Sequence, residues 1–471
     1  MSDLLVGIDA GTSRLKVGIF DAAGAPLAFS QRECPPDHLG EGAVELDPKL
    51  WWQGAEAALT DCLAKVDRSD IRAIGVSSQA QSYVWIDEHG VPWGPAISWL
   101  DTRGAGQEVS EELSDYDFYE HTGWAGADPM LAVCKLRART GDPMTLFPRG
   151  HLVFTDGYLI HGLCGEVVVS RNLAAMSGLY SLVESDWWQP ALSCVEVPSV
   201  ELPRILEIGE PAGRLHADLA EKWQIPRVPV VAGANDQTAA ALGAGLSRPE
   251  KVNLGLGTAI VAYQVVGSEA PRPGSRPLRG PYVGGLDYQL TLHNTAGGVI
   301  EWARDLFADG ADWERFFDIA LGAEPGAGGL RLDPGFSTES GGHLTRLSLH
   351  HDRPHLLRAV LEGVACAARQ KLDELDAPKE CFATGAASAN DRWMQMMADV
   401  TGRTIRALGR SQATLWGTAL AAGAGAGVFE EILEAARKHR SIRAQFKPNP
   451  SVRGIYDGIY ADYRDAGTKS E

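Results

Sequence analysis

An α/β fold of two lobes with a ligand cleft between them is predicted by three features of the sequence. Residues 4–20 place two β-favouring runs, Leu4–Ile8 and Leu15–Phe20, around the polar turn Asp9-Ala10-Gly11-Thr12-Ser13, which is a hairpin signal. Residues 252–263 repeat that arrangement around Gly257-Thr258, about half a chain further on, and internal repeats set architecture. Elsewhere, short apolar runs alternate with stretches of helical periodicity, the pattern of an α/β protein. At 471 residues, the chain has room for about two to three domains with sizeable cores.

Composition excludes several classes. Apolar content of 45% and charged content of 22% are ordinary for a globular protein in water. A net charge of −18 argues against a nucleic-acid footprint and against docking on anionic membranes. The seven cysteines are scattered, odd in number and without a C-x-x-C pair. That suits a reducing compartment better than a disulfide framework or a zinc site. The chain shows no basic-then-apolar leader and no run of about 18 apolar residues, so a cytoplasmic location away from membranes is expected.

The first turn carries more than a folding signal. Gly11 lets the backbone approach a ligand, and successive amides with the hydroxyls of Thr12 and Ser13 make a small concave anion site. Asp9 ends the first strand, where it can face hydrated Mg2+, an ion typically held by about one or two carboxylates plus phosphates. An ordinary hairpin with a polar turn is the plainer alternative. Asp47-Pro48 starts a helix with a capping side chain and a proline at its first position. Trp51, Ala55, Ala58, Leu59, Cys62 and Val66 then mark its core face. Ile71–Val76 reads as a buried strand that delivers Ser77–Ser82 at its end. Val84–Ile86, the turn Asp87–Gly90 and the run Ala96–Arg103 follow. Ligands bind at strand ends in α/β folds, and Gln79, Gln81, Trp99, Asp101 and Arg103 converge there. Amides suit sugar hydroxyls and an indole face suits C–H bonds; the alternative is an internally satisfied polar loop. Trp187-Trp188 is assigned to core and Val197–Pro203 to a surface loop.

At the junction, Val228–Gly243 combines a short strand, Gly233, the pair Asn235-Asp236 and an Ala-rich helix. Either polar residue is suited to cap that helix. Gly322–Gly329 lacks the strand-turn-helix context of a dinucleotide fingerprint and reads as a linker. Pro354 starts a helix with one apolar stripe, and His350, His351 and His355 belong to a hairpin edge and that helix start rather than to a metal. Glu380–Thr384 is a strand, and Gly385–Asn390 opens the next helix. Small residues there admit a flat heterocycle or a phosphate near a helix N-terminus. Trp393, Met396, Met397 and Val400 form the buried face of that helix. The Ala/Gly-rich run Gly417–Gly427 is explained by close helix packing.

In order and spacing, these motifs resemble the FGGY family of ATP-dependent carbohydrate kinases, within the actin-like, duplicated ribonuclease-H-like superfamily. The two Gly-Thr hairpins carry the resemblance, together with Ala96-Ile-Ser-Trp-Leu-Asp-Thr-Arg103, Pro129–Leu136, Asp156–Gly178, Gly233-Ala-Asn-Asp236, Gly342–Glu362 and Ala383–Ser388. Departures are Ala138 where the family usually has Trp, and Arg346 where it usually has Gly. The resemblance spans residues 4–430 and implies two actin-like lobes, 1–245 and 246–471, with the tail from 430 unassigned. Each lobe would hold a mixed five-stranded sheet, with the active site in the interlobe cleft. The implied activity is transfer of the γ-phosphate of ATP to a hydroxyl of a sugar or polyol of the ketose, pentulose or tetritol class. Gly11, Thr12, Ser13, Gly257 and Thr258 would hold phosphates, Asp9 the Mg2+, and Gly385 and Ala386 the adenosine. Gln79, Gln81, Trp99, Asn235, Asp236 and Gln237 would face the acceptor, with Asp236 as general base.

Glycerol kinases look to have Arg-Glu, and xylulokinases Met-His, where this chain has Ala80-Gln81; Gln237 stands where xylulokinases look to have Asn. The expected acceptor is therefore a linear sugar or polyol other than glycerol or D-xylulose. No Walker A sequence is present. The rivals are an actin-like ATPase of non-kinase function and a catalytically silent sugar-binding regulator. The Gln79/Gln81/Trp99 group argues against a filament protein, and the pair Asp9 and Asp236 argues against a silent regulator. Small-molecule partners are implied, with no nucleic acid or membrane, and a homodimer is compatible with the family.

Overall fold

The computed structural model describes residues 3–106, 109–113, 116–138, 150–197, 201–249, 251–257, 259–269, 274–294, 296–333, 341–409 and 412–467. Strand β1 (Leu4–Ala10) is buried along its whole length, as befits a strand covered on both faces. Strand β2 (Arg14–Asp21) folds back beside it in a register that sets Asp9 opposite Lys16, and β3 (Pro26–Glu33) continues antiparallel. Helix α1 (Pro48–Leu63) opens with the Asp47 side chain accepting the Lys49 amide and buries Trp51, Ala55, Ala58, Leu59 and Cys62. Strand β4 (Ile71–Ser78) returns parallel to β1. Helix α2 (Thr155–Cys164), β5 (Pro211–Arg214), β6 (Pro229–Asn235) and α3 (Asp236–Gly243) complete this half. The sheet order is β5-β6-β4-β1-β2-β3.

The second half repeats the plan. Its strands are β7 (Lys251–Leu256), β8 (Ile260–Gly267), β9 (Leu278–Pro281) and β10 (Leu286–His293). Helix α4 (Arg353–Glu374), β11 (Glu380–Thr384), α5 (Asp391–Thr401), β12 (Thr404–Leu408), α6 (Ala413–Gly425) and β13 (Ile442–Phe446) follow. The order is β9-β10-β8-β7-β11-β12-β13. Strands β3-β2-β1-β4-β6 and β10-β8-β7-β11-β12 correspond one to one, three antiparallel and then two parallel additions. Short edge strands extend the expected five-stranded sheets: β5 makes the first six-stranded, and β9 and β13 make the second seven-stranded.

Helices α3 and α6 join the halves. A Cβ on Gly243 would overlap the Ala413 carbonyl, and one on Gly417 would overlap the Ala239 carbonyl, so the two helix backbones touch where glycines permit it. Helix α6 also lies directly on the first sheet, because Gly7 and Gly75 leave room for the carbonyls of Leu415 and Thr418. One apolar core combines Leu5, Phe20 and Val231 with Leu242, Tyr263, Phe382 and Trp416, binding both sheets to the helix pair. A five-stranded sheet, including Tyr83–Ile86 and Ala96–Ile97, is set beside the first half and carries the loops after β4. Among the described residues, no helix is long and apolar enough to cross a membrane.

Candidate active site

The ends of β1, β4 and β6 bring the first group together. Asp9 is 2% exposed. Its Oδ2 accepts from Lys16 Nζ at 3.4 Å, while Oδ1 has no hydrogen-bond partner. Burial pushes the Asp9 carboxyl up, and the Lys16 charge opposes that shift. A buried, unpartnered carboxylate oxygen is costly, so Asp9 fits a site completed by a hydrated Mg2+. Lys16 escaped the sequence reading, although the hairpin register pairs it with Asp9.

Asp236 follows an irregularity in β6, whose register against β4 slips between Ala232 and Asn235. A Cβ on Gly233 would overlap the Val76 carbonyl, so a glycine is required at the slip. Bulges next to active sites commonly re-aim a side chain. Asn235 caps α3: its side-chain oxygen accepts the Thr238 amide at 3.0 Å, and its own backbone N–H donates to Asn172 Oδ1 at 2.9 Å. The Asn235 carboxamide N–H faces Asp236 Oδ1 at 3.5 Å. Asp236 Oδ1 also accepts the Gln237 amide at 2.8 Å. Burial, and next the negative charge of Asp9, push Asp236 up to about 6, with Lys16 opposing. The three charged groups thus lie within electrostatic reach of one another.

The two Gly-Thr turns come next. Gly11 N–H closes the first by donating to the Arg14 carbonyl at 3.0 Å, leaving Thr12 half-buried and Ser13 exposed. In the second, Gly257 is exposed and donates to the Ala259 carbonyl at 3.1 Å; Thr258 lies outside the described residues. Gln237 Oε1 lies 4.0 Å from the position a Cβ would take on Gly255, so this residue of the first half reaches β7. Gly385 has φ +93°, and a Cβ there would overlap the Leu256 carbonyl, so it lies against the strand that leads into Gly257. Ala386 is exposed at the start of a short 3₁₀ turn, and α5 begins only at Asp391, capped by Asn390. The segment expected to open the helix at Gly385 is therefore a single 3₁₀ turn, and the α-helix itself starts at Asp391.

The loops after β4 supply the remaining group. The Gln79 N–H donates to the Ala10 carbonyl at 2.8 Å, and its buried Oε1 has no hydrogen-bond partner. Gln81 is buried at φ +65°, a left-handed conformation uncommon for a non-glycine residue. The cation of Lys135, unnoticed as a site residue in the sequence, donates to the carbonyls of Gln81 and Ser98, both at 2.8 Å. Burial pushes this amine down to about 7. Trp99 donates its indole N–H to Thr12 Oγ1 at 2.8 Å. Asp101 and Arg103 depart from the expected sugar contacts. Asp101 accepts from Val44 N at 2.9 Å and from Arg103 Nε at 2.8 Å, and Arg103 reaches Glu45 at 2.8 Å. These two close an internal network and hold the loop.

Residues 4–243 match the N-terminal domain, and residues 294–426 the C-terminal domain, of the FGGY family of carbohydrate kinases. A xylulose kinase of Lactococcus lactis subsp. lactis (strain IL1403) is 27% identical over 97% of this chain and 95% of its own length. A glycerol kinase of Shewanella sp. (strain ANA-3) is 27% identical over 98% of each chain. Among solved structures, the ligand-bound xylulose kinase from Lactobacillus acidophilus superposes with a TM-score of 0.92, covering 99% of this chain and 98% of that one at 21% identity. That last likeness establishes the two-lobed fold.

Proposed function

The chain belongs to the FGGY family of carbohydrate kinases, and from that premise we propose an ATP-dependent kinase in which Asp236 is the general base for a hydroxyl of a linear sugar or polyol. The observation that carries this reading is the meeting of Asp9, Lys16 and Asp236, with Asp236 held near a value of about 6 by burial and by Asp9. A base of that strength is largely ionised at neutral pH yet still basic enough to take a proton.

Each part has a task. Asp236 accepts the proton of the acceptor hydroxyl as its oxygen bonds to the γ-phosphorus; the bond from that phosphorus to the β–γ bridging oxygen breaks, and ADP leaves. The turns at Gly11–Ser13 and Gly257–Thr258 would offer the hydroxyls of Thr12, Ser13 and Thr258 to phosphate oxygens, while the Gly11 and Gly257 N–H groups close the turns themselves. Lys16 adds a positive charge beside them, and Gly385-Ala386 provides a flat approach for the adenosine. Asp9 would hold Mg2+, which when bound neutralises charge on the phosphates. Positioning and charge neutralisation are what phosphoryl transfer chiefly requires of a protein.

Gln79 and Gln81 offer neutral amides to the acceptor, supporting a ketose or polyol of the pentulose or tetritol class in preference to glycerol or D-xylulose. Gln237 and Asn235 complete that side of the reading. We place the lobe boundary between Gly245 and Leu246, the loop between α3 and β7. All seven cysteines are free thiols, which supports a cytoplasmic location; a homodimer is the assembly the family resemblance admits. The test is ADP release from Mg·ATP with a panel of pentuloses, hexuloses, tetritols and glycerol, repeated with Asp236→Asn. The reading expects acceptor-dependent release by the wild type and at least about a hundredfold lower kcat in the variant.

A further inference from the structure

The Trp99–Thr12 hydrogen bond joins the acceptor loop to the phosphate turn. An indole N–H only donates, whereas a threonine hydroxyl has one proton and two acceptor lone pairs. Thr12 Oγ1 accepts from Trp99 at 2.8 Å, so the Thr12 proton is left for a different acceptor. Thr12 stands between Gly11 and Ser13 in the turn assigned above to phosphate. Trp99 is itself held by its surroundings. Its backbone N–H donates to Ser82 Oγ at 2.9 Å, and the Leu100 N–H donates to Ser98 Oγ at 3.2 Å. The Ser98 carbonyl accepts from Lys135 Nζ at 2.8 Å and from the Asp101 N–H at 3.1 Å. The donor is therefore carried on a well-tied loop, and Thr12 is its counterpart on the hairpin turn.

We propose that Trp99 is a positioning residue that couples the two substrates: its indole N–H turns the Thr12 proton toward the ATP phosphates, and an acceptor seated against the same ring steadies that bond. The inference rests on the kinase reading. Coupling between two ligands is reciprocal in binding free energy, so an acceptor that tightens nucleotide is tightened by it to the same degree.

The test starts from whichever panel compound the wild type phosphorylates fastest. Calorimetry then measures the affinity for Mg·AMP-PNP, with and without that compound at saturation. The wild type should bind the nucleotide at least about fivefold tighter with the acceptor present, and Trp99→Phe less than about twofold tighter. By the same reciprocity, saturating Mg·AMP-PNP should tighten the acceptor at least about fivefold in the wild type and less than about twofold in Trp99→Phe. Thr12→Val breaks the same bond from the other side and should lose the cooperativity too, which secures the test if the tryptophan variant does not fold. Wild-type cooperativity in either folded variant, or none in the wild type, overturns the coupling and leaves the kinase reading standing. A wild type that releases no ADP with any acceptor overturns that reading, and the coupling with it.

Discussion

Asn235 and Asp236 are neighbours with separate tasks, and the separation is measurable. Asn235 supplies the cap of α3, so Asn235→Ala should cost about 1 kcal/mol of stability, read as a lower Tm. Asp236 is not the cap, although its Oδ1 accepts the Gln237 amide, and its carboxyl is raised from 3.8 to about 6. A raised carboxyl contributes stability that is full below 3.8 and is lost as pH rises through about 6. Asp236→Asn should therefore unfold no earlier than wild type at pH 8 while losing turnover, the opposite of a cap mutant. Because the proposed base would work ionised, wild-type kcat/KM should rise with pH through about 6 and then level. Asp9→Asn removes the like charge that helps hold Asp236 up, so that midpoint should move to lower pH in whatever activity survives. Either residue suited the cap on sequence grounds. A one-residue slip in β6 decides between them, and slips of that kind leave no trace in apolar periodicity.

At the level of elements, both Gly-Thr hairpins, the buried strand Ile71–Val76 and the stripe of α4 were legible, because each is a strong periodic pattern bounded by Gly, Pro or a cap. The edge strands β5, β9 and β13 were not, since strands of four or five residues are too short for a periodic pattern to stand out. Lys135 was hidden for another reason. It lies in the short helix Ala132–Arg137, among buried neighbours, and its value lies in two carbonyls far along the chain. Lys135→Met should free the left-handed Gln81 and raise the acceptor KM by about tenfold or more, with the KM for ATP within about twofold, since a buried carbonyl left without its donor costs about 1–3 kcal/mol. Equal changes in both KM values would show that Lys135 serves the fold as a whole. The α3–α6 crossing makes a harsher demand. Gly417→Val pushes a side chain into the Ala239 carbonyl and should destabilise by about 1–3 kcal/mol or more, as overpacking does.

Across the whole molecule, one five-strand plan occurs twice, and the helix after the last strand of each copy packs between the two sheets. The first Gly-Thr turn, the Asp236 junction and the loops after β4 come from separate stretches of chain, and the first sheet gathers them at the ends of β1, β4 and β6; in the proposed reading the second turn faces them from the other lobe. The two-lobed plan could be read from the paired hairpins alone. The identity of the acceptor could not, because in the proposed reading it depends on which hydroxyls would meet Gln79, Gln81 and Asp236 in three dimensions. The relatives at 27% identity include both a xylulose kinase and a glycerol kinase, and the resemblance implies that the Ala80-Gln81 pair differs from the residues expected in either group. In the acceptor panel, neither glycerol nor D-xylulose should give the highest kcat/KM; either one ranking first would refute that specificity.

The measurement closest to the central claim is single-turnover phosphoryl transfer by Asp236→Asn, with the nucleotide and acceptor affinities of the same protein determined beside it. The account predicts a folded variant that binds both substrates near wild-type strength and transfers phosphate at least about a hundredfold more slowly. Transfer at a near-normal rate by that variant would contradict it.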